Sequence, residues 1–294
     1  MVLTSVLSLL GLGVAAAIIL ALASRFLRVE ENPRVEEVLE ALPGANCGSC
    51  GYAGCEGYAV AVVTSEDVPA NLCTVGGNAV AEEVARLAGK AATSVEPTLA
   101  FRRCSRVEGK VKRSYEYVGA STCASAAILE GGPYQCTWAC LGFGDCMRAC
   151  PFDAMYIKDG MVEVIDSKCM SCGHCVSACP RGIMQLVPRR SRVMIHCATR
   201  EKLKDVSEVC DVGCINCLKC LKACPADAIR YEKRRIEIDH TACLAYGRDC
   251  AEACADVCPR SILRREGRHP LVPEGMFNPA EEQLTIRETP EPRT

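Results

Sequence analysis

Cysteines in closely spaced groups constrain the fold of this chain more than any other feature. The chain contains 24 cysteines in 294 residues, and four of their runs end in Cys-Pro. Only 5% of the residues are aromatic, so small modules built from this chain would bury too little apolar surface to be stable on their own. Disulfides or bound metal must therefore hold the modules together.

The N-terminal segment decides between disulfides and metal. From Val2 to Ala23 the chain has no charged residue, and about 20 apolar residues suffice to cross a bilayer as a helix. Arg25, Arg28 and Arg34 follow this segment and no Lys or Arg precedes it, which places the rest of the chain in the cytoplasm by the positive-inside rule. A cleaved signal peptide and a buried soluble helix are the alternatives. Cytoplasmic thiols stay reduced, which favours metal ligands over disulfides.

One run of cysteines has the spacing C-x2-C-x2-C-x3-C followed by proline, and it consists of Cys169, Cys172, Cys175 and Cys179. This spacing is typical of bacterial ferredoxins, in which three thiolates hold one four-iron cluster and the fourth reaches a second cluster. Structural zinc is the alternative, but zinc sites usually build one tetrahedron from two separated cysteine pairs. The run therefore predicts iron–sulfur clusters in an α+β fold.

The ferredoxin-like arrangement occurs twice, which predicts two tandem modules over residues 97–190 and 191–263. Cross-ligation between the two runs of each module predicts four [4Fe-4S] clusters. The spacing departs from the ferredoxin pattern between Cys140 and Cys146 and between Cys243 and Cys250. The predicted ligand sets are Cys136, Cys140, Cys146 and Cys179; Cys150, Cys169, Cys172 and Cys175; Cys214, Cys217, Cys220 and Cys258; and Cys224, Cys243, Cys250 and Cys254.

A further group lies in and after the glycine-rich stretch NCGSCGYAGC, and it consists of Cys47, Cys50, Cys55 and the more distant Cys73. The glycines let the backbone wrap closely around inorganic sulfide and offer N–H groups to it. Helical patterns flank the group at residues 33–42 and 78–87, and each helix is predicted to be closed by a nearby glycine. The sequence thus predicts a small helical domain over residues 30–96 that holds a fifth cluster.

Four cysteines fall outside these groups: Cys104, Cys123, Cys197 and Cys210. Each pair precedes one ferredoxin-like module, so the two pairs could meet where the modules pack and bind a sixth cluster. Ordinary buried thiols are the alternative, because free cysteine is among the most buried residue types. The number of cysteines divides evenly into six sets of four, and the spacing of these four matches no known motif, so both interpretations stay open.

The combination of one N-terminal span, the NCGSCGYAGC domain and tandem ferredoxin modules resembles the RnfB family. Its members are the B subunits of the Rnf complex, a membrane-bound ferredoxin:NAD oxidoreductase that translocates sodium ions or protons. The resemblance covers residues 1–263, and the second module matches the longer, multi-cluster form of the family. It implies a single-pass subunit of the cytoplasmic membrane that takes electrons from reduced ferredoxin and relays them to other Rnf subunits.

Two alternatives remain beside the resemblance. The chain could be a membrane-anchored polyferredoxin that serves another redox enzyme or a redox-sensor reducing system, or it could be a structural metalloprotein without redox function. The sequence has no Gly-rich dinucleotide fingerprint after a strand and no phosphate loop. We therefore expect NAD chemistry, and any catalytic residues, in a partner subunit.

Charge is distributed unevenly along the chain. Residues 30–96 contain eleven acidic and three basic residues, a net charge of −8, whereas residues 181–235 contain thirteen basic and six acidic residues, a net charge of +7. Ferredoxins are typically acidic, so reduced ferredoxin is expected to dock on the basic segment, near Lys219 and Lys222. Nucleic acid is not expected there, because the segment lacks interleaved aromatic residues. The polar tail, 264–294, is predicted to be flexible or to wrap a partner.

Some side chains beside the cysteines have more than one interpretation. His174 lies between Cys172 and Cys175, where it is more readily a loop residue than a ligand because the thiolates already complete the cluster. Trp138 and Phe152 are predicted to shield clusters from water, and solvent exposure is one of the determinants of cluster potential.

Overall fold

The N-terminal segment forms helix α1, Val2–Phe26, in a computed structural model that describes residues 2–26 and 32–265 of the chain. Side chains of this helix are described at residues 6, 7 and 10–23, and aliphatic side chains such as Leu12 are more than half exposed there. None of the described helices combines the length and the apolar character that a membrane span requires. The predicted single-pass anchor is therefore not confirmed. The predicted tail lies outside the described residues from position 266 onward.

Three helices form the N-terminal four-cysteine domain: α2, Pro33–Ala41, α3, Cys55–Thr64, and α4, Gly77–Ala88. They pack around fully buried apolar side chains that include Val38, Tyr58, Val62 and Val84. Both predicted helices are confirmed.

The two predicted helices end differently. Gly89 closes α4 in the left-handed conformation, as the sequence predicts. Helix α2 ends instead with Leu42 in an extended conformation, because the residue before a proline, here Pro43, disfavours the helical region.

The first ferredoxin-like module is built from two antiparallel strand pairs. The outer pair joins β1, Thr98–Arg102, to β4, Met184–Pro188, and the inner hairpin joins β2, Met155–Lys158, to β3, Met161–Val164. Three short helices carry cysteines or lie beside them: α5, Cys123–Ile128, α6, Asp145–Arg148, and α7, His174–Ser177. The outer pair thus closes the two ends of the module onto each other.

The second module repeats this arrangement, as the sequence predicts. Its outer pair joins β5, Val193–Ile195, to β8, Leu263–Arg265, and its inner hairpin joins β6, Ile229–Glu232, to β7, Arg235–Ile238. Its helices are α8, Leu203–Val209, α9, Lys219–Lys222, α10, His240–Tyr246, and α11, Ala253–Asp256. The element order of the two modules is the same apart from the extra helix α10.

Arg103 fastens the first module to the second. Its side chain is almost completely buried and donates to Glu237 at 2.5 Å, to the Ile236 carbonyl at 2.7 Å and to the Cys197 carbonyl at 3.2 Å. All three acceptors belong to the second module. A buried guanidinium needs such partners, since an unpaired charge in the interior costs several kcal/mol.

Candidate metal centres

The 24 cysteines have free thiols and stand in six groups of four, which we number as sites 1 to 6 along the molecule. Site 1 contains Cys47, Cys50, Cys55 and Cys73; site 2 Cys150, Cys169, Cys172 and Cys175; site 3 Cys123, Cys140, Cys146 and Cys179; site 4 Cys104, Cys136, Cys197 and Cys210; site 5 Cys214, Cys217, Cys220 and Cys258; and site 6 Cys224, Cys243, Cys250 and Cys254.

Site 1 lies at the start of α3 and in the loop before α4. Burial raises the pKa of the Cys73 thiol, and the other three thiols of the site raise it further. The side chain of Asn46 accepts a hydrogen bond from the N–H of Cys55 at 2.9 Å. A Cβ atom on Gly54 would lie 2.8 Å from the Asn46 side-chain oxygen, so glycine at this position lets the loop close over the thiols.

Site 2 lies under the outer strand pair of the first module. Burial raises the pKa of the Cys175 thiol to about 12, and the other three thiols of the site add to the rise. The N–H of Ala100, in β1, donates to the Cys169 sulfur at 3.3 Å. Arg189 donates to the carbonyl oxygen of Cys169. The four thiols stand together as their spacing predicts.

Site 3 contains Cys123 where the spacing predicts Cys136. Asp145, the first residue of α6, accepts hydrogen bonds from the N–H groups of Cys123 and Ala124, both at 2.9 Å. This contact holds the start of α5 against Cys146, whose pKa is raised to about 12 by burial and by the other thiols of the site. The difference occurs at the spacing before Cys146 that departs from the ferredoxin pattern, and it is there that α5 contacts the loop and brings in Cys123.

Site 4 lies between the two modules. It contains Cys136, the cysteine whose predicted place at site 3 is taken by Cys123. The sequence groups Cys123 with the three remaining unassigned cysteines, whereas the structure places Cys136 there. The four thiols line a cavity of about 330 Å³. Burial raises the pKa of Cys136 to about 12, and the thiols of Cys197, Cys104 and Cys210 add to the rise.

Sites 5 and 6 lie inside the second module and contain the predicted sets of thiols. Burial raises the pKa of Cys214, in site 5, and of Cys254, in site 6, to about 12. Arg192 donates to the carbonyl oxygen of Cys243 at 2.5 Å and lies 3.6 Å from its sulfur. A guanidinium at this distance stabilises a negatively charged thiolate.

The donor set of the six sites fits four-iron clusters. Each site offers four thiols, and backbone N–H groups point at sulfur in several of them, as with Ala100 and Cys169 in site 2. Such hydrogen bonds are among the determinants of cluster potential. In the part of the chain that is described, no group of three or more His, Cys, Asp or Glu side chains is arranged to hold a single metal ion.

Of the other side chains at the sites, the sequence singles out Trp138 as a predicted shield from water but gives no signal for Arg181. The indole nitrogen of Trp138 is buried at site 4 without a hydrogen-bond partner among the described residues. Arg181 lines site 3 and donates to the Thr137 carbonyl at 2.6 Å. Asp145 could have been suspected from its place next to Cys146, but its bonds to α5 span a distance in sequence that no local pattern reports.

Three family models match the chain. Residues 42–75 match a family described as "Putative Fe-S cluster", and residues 133–180 and 213–262 each match a 4Fe-4S dicluster domain. The matches include sites 1, 2, 5 and 6 completely. Together they show that the chain binds several [4Fe-4S] clusters.

Curated relatives cover most of the chain. The B subunit of the proton-translocating ferredoxin:NAD(+) oxidoreductase complex of Clostridium ljungdahlii is 43% identical over 86% of this chain and 88% of its own length. The B subunit of the ion-translocating oxidoreductase complex of Methanosarcina acetivorans is 39% identical over 88% of this chain and 96% of its own length. The B subunit of the Na(+)-translocating ferredoxin:NAD(+) oxidoreductase complex of Acetobacterium woodii is 40% identical over 85% of this chain and 74% of its own length.

Proposed function

Because the chain belongs to the RnfB family, the B subunits of Rnf-type ion-translocating oxidoreductases, we propose that it accepts electrons from reduced ferredoxin and relays them toward the membrane. Family membership makes the chain an iron–sulfur electron-transfer subunit of a membrane-associated oxidoreductase complex. It favours this function over a polyferredoxin for another enzyme and over a structural metalloprotein. The names of the relatives mention different coupling ions: the proton for the Clostridium ljungdahlii complex and Na(+) for the Acetobacterium woodii complex.

The observation that carries the proposal is the unbroken series of six thiol sites. Clusters bound by such thiolates supply one-electron transfer. In each pair of successive sites, a cysteine of one site lies close enough that its thiolate form would raise the pKa of a thiol in the other, so the sites are neighbours from the N-terminal domain to the second module. The neighbouring thiol pairs are Cys47 and Cys172, Cys175 and Cys146, Cys140 and Cys104, Cys197 and Cys214, and Cys220 and Cys254.

The membrane end of this series is proposed to be site 1. Residues 1–25 would form a single-pass anchor, residues 30–96 the domain next to it, and residues 97–190 and 191–263 the two modules in the cytoplasm. The absence of charge from Val2 to Ala23 and the exposed aliphatic side chains of α1 support the anchor. Site 1 follows α1 most closely in sequence, which favours it as the site where electrons leave for the membrane subunits.

Removal of residues 1–25 tests the anchor. None of the cysteines lies in this segment, so the truncated chain should stay in the supernatant after ultracentrifugation and keep its brown colour and its iron. The full-length chain should sediment with membranes in the same experiment. Sedimentation of both chains, or of neither, would contradict the proposed anchor.

The ferredoxin-facing end is proposed to be the second module. Several arginines of the basic segment are already engaged, since Arg190 pairs with Glu96 and Arg230 with Asp239. Lys219 and Lys222, by contrast, are exposed on α9. Helix α9 carries Cys220 of site 5, so an acidic ferredoxin docked there would stand close to a cluster. The N-terminal domain, with its net charge of −8, would repel the same partner.

A charge-reversal experiment tests this docking surface. The double variant Lys219→Glu, Lys222→Glu should lower the rate of reduction by ferredoxin at low ionic strength by roughly tenfold or more, and the loss should shrink at high salt. The matched control is Lys202→Glu, Lys204→Glu, which changes the charge by the same amount at the start of α8 in the same segment. Equal losses in both variants would mean that only the overall charge matters, and an unchanged rate would move the docking site elsewhere.

A further inference from the structure

Site 4 is assigned to a cluster by none of the family matches, because three of its four cysteines lie outside them. We infer that Cys104, Cys136, Cys197 and Cys210 bind a sixth [4Fe-4S] cluster that joins the two modules, and that Cys123 takes the place of Cys136 at site 3. The cluster deepens the proposed relay, on which its electron-transfer role rests, but its ligands can be tested independently of that role.

Both modules contribute to site 4. Cys104 follows β1 of the first module, Cys197 follows β5 of the second, and the two residues face each other in an antiparallel β-bridge. Cys210 caps α8 and lies opposite Val111 in a second bridge. Cys136 comes from the first module. Neither module therefore has more than half of the ligands, and the site exists only where the modules pack.

The cavity at site 4 is suited to a bound group. Its volume of about 330 Å³ compares with about 20 Å³ at sites 3, 5 and 6. Trp138 lines it, and the buried indole N–H has no acceptor within the described residues. The guanidinium of Arg200 stacks 5.0 Å from the centre of the Trp138 ring. A buried donor without a partner is costly, and a cluster sulfide in the cavity would supply the acceptor.

Backbone hydrogen bonds connect site 4 to the site on each side. The N–H of Cys140, a site 3 residue, donates to the Cys104 sulfur at 3.4 Å. The N–H of Cys214, a site 5 residue, donates to the Cys197 sulfur at 3.3 Å. Hydrogen bonds to ligand sulfur stabilise the thiolate form that iron requires. Site 4 is thus bonded to one neighbour in each module, which is the position a connecting cluster needs.

Buried positive charge surrounds Cys104. Arg102, Arg103 and Arg106 are each more than nine-tenths buried within two residues of it. Arg102 and Arg106 donate to carbonyl oxygens at 2.7 Å and 2.6 Å as well as to glutamates. Four thiolates around a cluster bring net negative charge into the interior, and neighbouring guanidinium groups offset the cost of burying it.

The exchange of Cys123 and Cys136 follows from their surroundings. Cys136 lines the same cavity as Cys104, Cys197 and Cys210. Cys123 lines a separate cavity with Cys140, Cys146 and Cys179. Asp145 accepts a hydrogen bond from the backbone N–H of Cys123 and so holds it there. The carboxylate of Asp145 caps two N–H groups at the start of α5, so the position of Cys123 is fixed by the fold of the first module alone.

Iron counting in paired variants of the full-length chain tests the assignment. Two alanine substitutions in one site remove one cluster, whereas substitutions in two sites remove two. The variant Cys104→Ala, Cys136→Ala should therefore lose about four irons per chain, and Cys104→Ala, Cys123→Ala about eight. Iron and sulfide are measured after anaerobic purification, together with the spin count of the dithionite-reduced protein by electron paramagnetic resonance.

The reverse result, eight irons lost with Cys136 and four with Cys123, would overturn the exchange of ligands. Two further measurements distinguish the loss of a ligand from loss of iron that is caused by misfolding. Serine variants at the same positions perturb packing less, and the unmodified chain should contain about 24 irons with the sixth cluster and about 20 without it. A content of about 20 would overturn the sixth cluster. A failure of ferredoxin docking would leave all these counts unchanged.

Discussion

The two ferredoxin-like modules share an element order apart from α10 but differ in where the thiols of their sites come from. In the second module, sites 5 and 6 take all their thiols from within one dicluster match. In the first, Cys136 lies at the junction between modules and Cys123 enters site 3 from outside the match. The comparison shows that cysteine spacing predicts how many thiols a loop contributes, whereas packing determines the site to which each thiol belongs.

The largest effect is expected at the contact that joins the modules. Arg103→Met removes a buried charge and leaves its partner Glu237 with Arg235 as its other ion pair. The substitution should lower the free energy of unfolding by about 3 kcal/mol. His196, at the corresponding position after β5, packs edge-on against Phe101 with ring centroids 4.9 Å apart. Its replacement by methionine should cost only about 1 kcal/mol. Urea midpoints of anaerobic protein measure both, and equal costs would contradict the asymmetry.

The loops before Cys146 and Cys250 should differ next. Gly142 has φ of +82°, and a Cβ atom there would overlap the Gly160 carbonyl oxygen. We expect Gly142→Ala to cost about 2–3 kcal/mol, from steric overlap added to left-handed strain. Gly247, in the second loop, has φ of 84° and ψ of −164°, a backbone region that is essentially restricted to glycine, but nothing lies within 4 Å of a Cβ atom placed there. Gly247→Ala should therefore cost about 1–2 kcal/mol, from backbone strain without the steric overlap. Thermal melts of the two variants give the comparison, and it fails if they agree.

An aspartate directly precedes a cysteine of a metal site in both of these loops, Asp145 in the first and Asp249 in the second. Asp145 also accepts hydrogen bonds from the start of α5, which carries another cysteine of its site. Asp145→Ala should free the start of α5, cost about 1–2 kcal/mol and lower the iron content at site 3, because two N–H groups lose their acceptor. Asp249 is exposed, and Asp249→Ala should leave stability and iron unchanged. Iron assays on both variants decide, and loss of iron from Asp249→Ala would show that the loops are equivalent after all.

The smallest effect concerns the inner hairpins. The first turns through Asp159 and Gly160, with φ of 49° and 68°, and the second through Lys233 and Arg234, with φ of 48° and 63°. Turns with two positive φ values favour Asn-Gly or Asp-Gly. Arg234→Gly should therefore stabilise the second module by about 0.5–1 kcal/mol, whereas Gly160→Ala should destabilise the first. A lower melting temperature for Arg234→Gly would contradict this interpretation of the turn.

Local patterns were sufficient for much of the molecule. The helices near residues 33–42 and 78–87 and the repeated module follow from hydrophobic and cysteine periodicity, and the thiols of sites 1, 2, 5 and 6 stand together as their spacing predicts. The family resemblance is confirmed by relatives that cover most of the chain.

The partition of thiols between sites 3 and 4 could not be predicted in the same way. It depends on the contact between Asp145 and α5, across 22 positions of sequence, and on the docking of two modules through Arg103. Neither contact leaves a periodic or spaced signal. Binding of iron at each individual cysteine stays a prediction.

The β-bridge between Cys104 and Cys197 has a consequence for the order in which the protein matures. Five of the sites can be filled while the N-terminal domain and the modules are still separate bodies, because each draws its thiols from one of them. The site at the bridge can be filled only after the modules have met. The cluster proposed for this site would therefore form only after docking and would hold the pair closed, so its presence would mark a chain whose two modules are already in place.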